Sequence, residues 1–78
     1  MFDRAIFAQR LRQLRMEKNV SQAAIAELLH VTPTQAGDME RGKTGTTLER
    51  LVQLCEYYQV SADYLLGITD DPVWRGKT

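Results

Sequence analysis

An all-α domain of five short helices is what the sequence predicts, and three observations carry that prediction. Apolar residues recur at steps of three and four along most of the chain. Helix start and stop signals follow one another in order, with Ser or Thr opening most segments and Asn or Gly closing several. No stretch alternates apolar and polar residues with the period of two that a half-buried strand requires. At 78 residues the chain is one small domain, near the size at which a single core begins to suffice without disulfides.

The elements follow in order. Ile6, Phe7, Leu11 and Leu14 give one buried face to a first helix over roughly residues 3–18. Asn19 ends it, because Asn tolerates the left-handed backbone of a helix stop, and Val20 returns to the core. Ser21 caps a second helix, its hydroxyl accepting from an unpaired backbone N–H. Ile25, Leu28 and Leu29 form that helix's apolar stripe, while Ala23, Ala24 and Ala26 favour helix and close packing. After His30 and Val31, "TPTQ" packs three start signals into four residues. Thr32 stands as N-cap, Pro33 at the first helical position and Gln35 at the capping-box position. This third helix stops at Gly42. In the loop "TGTT", Thr46 with Glu49 forms one possible capping box and Thr47 is an alternative cap. Leu48, Leu51, Val52, Leu54, Cys55 and Tyr58 then make a strongly amphipathic fourth helix. Val60 leads to Ser61, the cap of a short fifth helix that Gly67 stops. The segment "ITDDPVWRGKT", residues 68–78, has turn residues and no periodicity, and reads as a loosely held tail.

Composition narrows the function classes. A hydrophobic content of 44% supports a folded core and 26% charged residues suit a soluble surface. Cys55 is the single cysteine, so neither an internal disulfide nor a clustered-cysteine zinc site can be built. That fits a reducing, cytoplasmic setting. No apolar run approaches the roughly 20 residues of a membrane span, and "MFDRAIFAQR" mixes both charge signs, unlike a secretory signal. Ten basic and ten acidic residues cancel, whereas a dedicated DNA binder is often distinctly basic. The excess is uneven: residues 1–50 carry eight basic against six acidic residues, and residues 51–78 carry two against four.

The stretch "SQAAIAELLHVTPTQAGDMERGK" followed by "LERLVQLCEYYQVSADYLLG" resembles the helix-turn-helix of lambda-repressor-like proteins, the Cro/Xre family of phage and bacterial regulators. The resemblance covers about residues 7–67. Ser21-Gln22, Ala26, Val31, Glu40-Arg41-Gly42 and "VSADYLLG" carry it as a set. It implies a five-helix DNA-binding domain over residues 1–67, with residues 68–78 as a tail that offers a partner contact. It implies further that Gln22, Pro33, Thr34, Gln35 and Asp38 read bases. Ser21, Arg41, Lys43, Thr44, Arg10 and Lys18 would meet the DNA backbone. Glu40 would pair with Arg15 as a structural ion pair. An α-helix fits the B-DNA major groove, and N–H groups at the start of the preceding helix can meet a phosphate.

Several residues depart from the family pattern. His30 stands where glycine is common in the turn, and histidine tolerates a left-handed backbone better than most residues. Ala36 replaces a branched anchor, with Met39 as the flexible filler. Gly37 weakens the helix by about 1 kcal/mol relative to alanine, and permits a close approach to DNA or to the second helix. Asp38 is repelled by phosphates, yet it can accept from the cytosine amino group.

Other residues have plain structural readings. His30 has no second ligand at metal spacing, and Cys55 reads as a small core residue. Tyr57, Tyr58 and Tyr64 read as core and partner contacts rather than base-stacking platforms. Arg10, Arg12 and Lys18 read equally as a solvated face. Trp74 either folds back on the domain or docks on another subunit. No Gly-rich phosphate cradle, acid–base carboxylate pair or serine–histidine arrangement is present in the sequence, which argues against an enzyme and calls for no cofactor, metal or small-molecule ligand. The expectation is a sequence-specific double-stranded DNA-binding transcriptional regulator. It would be a repressor, and a homodimer built from Tyr64, Leu65, Leu66 and Trp74. The alternative is a protein-interaction module, antitoxin-like or anti-repressor, that keeps the fold with weak or no DNA binding.

Overall fold

The computed structural model describes residues 2–74 of the chain. Five helices follow in order: α1 (Arg4–Lys18), α2 (Gln22–Leu29), α3 (Pro33–Glu40), α4 (Leu48–Tyr58) and α5 (Ala62–Leu66). Each starts on a side-chain cap. Asp3, Ser21, Thr32, Thr47 and Ser61 accept backbone N–H groups of α1 to α5 respectively. These caps satisfy donors that the helix itself leaves unpaired. Of the two caps open for α4, Thr47 takes the role and accepts from Arg50 N at 3.1 Å. The Thr46 hydroxyl is buried with no hydrogen-bond partner among the described residues.

Three helices end on non-glycine residues in the left-handed conformation: Asn19 at φ 61°, His30 at φ 58° and Gln59 at φ 55°. His30 thus performs the turn in place of glycine. Gln59 had no such signal in its residue type. Gly67, at φ +83°, ends α5.

Phe7, Leu11, Ile25, Leu29, Met39, Leu51, Leu54, Cys55, Val60 and Leu65 form one continuous core. Shortening a fully buried member such as Leu54 would cost about 2–5 kcal/mol. α3 contributes Ala36 and Met39 to the interior, so its packing depends on one small residue and one flexible chain. Burial pushes the Cys55 thiol pKa upward, reinforced by the nearby Glu56 carboxylate, as befits a core residue.

Two expectations change. Leu48 and Val52, placed on the apolar stripe of α4 by spacing, are 78% and 54% exposed. They lie on a flank of α4 that no other helix covers. The start of the tail, read as loosely held, is tied down: Ser61 N donates to Pro72 O at 3.3 Å and Ile68 N to Asp63 O at 2.9 Å. Trp74 is exposed. Residues 75–78 of the tail lie outside the described residues.

Candidate nucleic-acid interface

The turn from α2 into α3 is fixed at both ends. His30 donates its backbone N–H to Ala26 O and Glu27 O. Two residues on, Thr32 and Gln35 form the full reciprocal capping box: Gln35 N donates to Thr32 Oγ1 at 3.1 Å, and Thr32 N to Gln35 Oε1 at 2.9 Å. This geometry seats Pro33 in the first turn of α3 and leaves Pro33, Thr34 and Gln35 exposed. Gln35 is therefore half committed. Its oxygen is held by the cap, and its amide NH2 is what remains for a ligand.

Asp38 and Arg41 stand one turn further along. Arg41 Nη2 meets Asp38 Oδ1 at 2.5 Å, with the side chains 57% and 23% exposed respectively. The carboxylate expected on the bases is thus paired by its own helix. A methyl group at Gly37 would meet Arg41 Nη1 at 3.0 Å, so the missing side chain is what lets the guanidinium lie back over α3. Lys43 and Thr44 follow on the exposed loop. Lys43 N is anchored to Asp38 O at 3.0 Å, and its carbonyl accepts from Arg4 Nη1 at 3.1 Å.

Glu40 points to the other side of the helix. Arg15 Nε donates to Glu40 Oε2 at 2.7 Å, Arg15 Nη1 to Val20 O at 3.0 Å, and Gln22 Nε2 to Glu40 Oε1 at 3.2 Å. The pair is nearly buried, with Glu40 6% and Arg15 16% exposed. Burial, with the Glu40 carboxylate close by, raises the Tyr58 hydroxyl pKa well above its ordinary value. Gln22, expected on a base or phosphate, gives one of its two amide donors to Glu40. Its backbone N–H at the start of α2 and its carboxamide oxygen stay available. Ser21 Oγ likewise accepts the cap bond from Ala24 N at 3.0 Å, keeping its own hydroxyl proton to donate.

One of the expected backbone contacts, Arg10, is engaged elsewhere, while Lys18 stays exposed. Arg10 donates to the carbonyls of Tyr64 and Thr69 (2.7 Å for Thr69) and to Asp70 Oδ1 at 2.6 Å, and its guanidinium lies 4.2 Å from the Tyr64 ring centroid. It is a clamp joining α1 to α5 and the tail, not a free phosphate ligand. Lys18 Nζ sits 5.0 Å from the Tyr57 ring centroid, against α4. Arg50, with no role assigned from the sequence, lines a cleft of about 210 Å³ with Gln35, Asp38 and Thr44.

A helix-turn-helix family model matches residues 11–65. The chain is 39% identical over 67 residues to YobD of Bacillus subtilis, an uncharacterized HTH-type transcriptional regulator. That match covers 86% of this chain and 60% of YobD. The chain thus spans about three fifths of that relative's length. Among solved structures, the P22 c2 repressor protein in complex with a synthetic operator is similar at TM-score 0.73 and 31% identity, over 78% of this chain and 92% of that one. Hydroxypropylphosphonic acid epoxidase from S. wedmorenis also matches, at TM-score 0.71 and 30% identity, over 80% of this chain but 33% of the enzyme. The five-helix, lambda-repressor-like fold expected from the residues is the one observed. The chain belongs to the Cro/C1-type helix-turn-helix family.

Proposed function

We propose that this chain is a sequence-specific double-stranded DNA-binding transcriptional regulator that acts as a repressor by occupying its operator. The observation that carries the reading is the exposed start of α3. Pro33, Thr34 and the Gln35 amide project from a helix whose entry is locked by a capping box. α3 enters the major groove by that end, where side chains reach base edges. Ser21 and the N–H of Gln22 at the start of α2, with Lys43 and Thr44 on the loop, take phosphates. Arg10 drops out of that set, and Lys18, exposed at the end of α1, stays in it. The likeness to a repressor solved with its operator supports the reading. The protein works in the cytoplasm with the DNA, and no catalytic step belongs to its role.

The functional unit is a homodimer, which doubles a small base-reading surface on a two-fold operator. Its contact keeps Leu66 and exposed Trp74 from the set the sequence suggested. Leu65 is 0% exposed, and Tyr64 lies under Arg10. The exposed apolar side chains of Phe2, Leu48, Val52 and Ile68, beside half-buried Leu66, are the face left to a second copy. Among the described residues no helix is long and apolar enough to cross a membrane.

Selection of bound duplexes from a random pool, followed by titration of the enriched site at two salt concentrations, tests the function. An inverted repeat of half-sites about one helical turn apart is expected, with affinity falling steeply as salt rises. No enrichment and weak, salt-insensitive binding would favour the protein-interaction module, a reading that the balanced charge of the chain supports. Light scattering of wild type against the double variant Leu48→Glu, Val52→Glu tests the dimer. A wild-type mass of one chain at high concentration, with and without DNA, would remove it.

A further inference from the structure

We infer that Arg41, rather than Asp38, is the polar base reader of α3. Its guanidinium takes a guanine in the major groove while Asp38 holds it in position. The inference rests on the DNA-binding reading above and goes beyond it, since sequence reasoning gave Asp38 to the bases and Arg41 to a phosphate.

Three observations lead there. First, Asp38 is already partly engaged. Its Oδ1 is held by Arg41 Nη2 at 2.5 Å, a charge-assisted bond that anchors one corner of the guanidinium. Second, Arg41 closes α3 at its C-cap, yet its head does not extend into the following loop. Side chains on a helix lean toward the N-terminus, over the preceding turn. The guanidinium accordingly lies across Gly37, with Nη1, Nη2 and Cζ at 3.0, 3.4 and 3.5 Å from where a Cβ would stand. It is carried back along the line Pro33, Gly37, Arg41, whose i, i+4 spacing makes one face. Third, that head keeps most of its donors. Arg41 is 57% exposed, and its one side-chain hydrogen bond among the described residues goes to Asp38.

The chemistry then selects the base. A planar fork of N–H donors matches the O6 and N7 acceptors of guanine, the commonest specific contact in the major groove, and no other base offers two acceptors there. A carboxylate alone would ask for cytosine. The same residues thus predict opposite strands of one G·C pair, depending on which of the two reads it. Gly37, a poor helix residue by itself, has its reason here: a side chain at this position would displace the fork.

The experiment compares wild type with Arg41→Lys, Arg41→Gln, Gly37→Ala and Asp38→Asn. Each is titrated against the selected operator and against copies substituted at the guanine, at two salt concentrations. Wild type is expected to prefer guanine by about tenfold or more at one position of each half-site, the scale of one good bidentate contact. Arg41→Lys keeps the charge but loses the planar fork, and should lower that preference with the salt slope unchanged. Gly37→Ala, expected to fold at least as well, should lower the preference too, because the fork is pushed aside. Asp38→Asn should weaken the same preference. Uniform loss on every sequence in Arg41→Gln, with the salt slope reduced by about 0.9, would mark a phosphate contact and overturn the inference. So would an Asp38→Asn variant that changes preference at a different base pair. A wild type that enriches no site removes the DNA-binding reading itself, and this inference with it.

Discussion

Two carboxylate–guanidinium pairs meet on α3, two residues apart, and they have opposite characters. Glu40 reaches across to Arg15 of α1, with side chains 6% and 16% exposed and further bonds to Gln22 and Val20 O. Asp38 turns to Arg41 of its own helix, with side chains 23% and 57% exposed. In a buried pair each charge has given up its water, so either partner alone is stranded. In an exposed pair water stands ready to replace the partner, and the pair itself is worth little. On α3 the two pairs differ in where the arginine comes from. Arg15 of α1 meets Glu40 on the side packed against another helix, whereas Arg41 of α3 itself meets Asp38 at the surface.

The largest effect that this contrast predicts is at Glu40. Glu40→Ala should lower unfolding stability by about 3–5 kcal/mol, because Arg15 is left buried and unpaired. Urea denaturation followed by circular dichroism measures it. The double change Arg15→Met, Glu40→Leu should recover much of the loss, since well-packed apolar residues can replace a buried pair. A single-variant cost below about 1 kcal/mol would place this pair with surface pairs and dissolve the distinction.

The capping box is next in size. Thr32→Ala should cost about 1 kcal/mol by removing the hydroxyl that accepts Gln35 N at 3.1 Å, while the backbone N–H of position 32 keeps its bond to Gln35 Oε1. The expected signature is a modest loss in a thermal melt with the selected site unchanged, because the Gln35 side chain stays held. An altered base preference beside Gln35 would mean that the hydroxyl bond also positions that side chain.

Legibility in the sequence followed the same divide. Caps, turns and the core are local or periodic signals, and they read correctly: Thr32 with Gln35, Ser21 and Ser61 as caps, Asn19 and Gly67 as stops. Where periodicity misled, at Leu48 and Val52, the apolar stripe of α4 was wider than the neighbours available to cover it. The Arg15–Glu40 pair was legible only through the family resemblance, because a sequence separation of 25 carries no local signal. The engagement of Arg10 with Tyr64, Thr69 and Asp70 lay beyond reach for the same reason. So did the use of Gly37, since an absent side chain does not announce what will fill its space.

Gly37 offers a gain rather than a loss. Gly37→Ala should raise stability by up to about 1 kcal/mol through helix propensity. The group that must move is the far end of Arg41, a flexible and exposed chain, rather than backbone. A melting temperature raised by a few degrees is the expected reading. Destabilisation by more than about 1 kcal/mol would mean that the Arg41 head is held firmly, and the exposed pair would then resemble the buried one after all.

The smallest effect is the most telling for the comparison. Asp38→Ala should change stability by no more than about 0.5 kcal/mol, because its partner is half in water and the pair lies within a single helix. The variant also keeps the backbone bond from Lys43 N to the carbonyl at position 38, so the loop after α3 should hold its place. Set beside Glu40→Ala, the expected ratio is at least fivefold, from carboxylates separated by one residue. Raising the salt concentration sharpens the contrast, since screening weakens exposed pairs far more than buried ones. High salt should therefore leave the Glu40→Ala deficit nearly unchanged, while whatever Asp38→Ala costs should vanish. An Asp38→Ala cost that persists in high salt would show that this carboxylate is held by more than Arg41, and the search for its second partner would begin at Arg50, across the cleft they share.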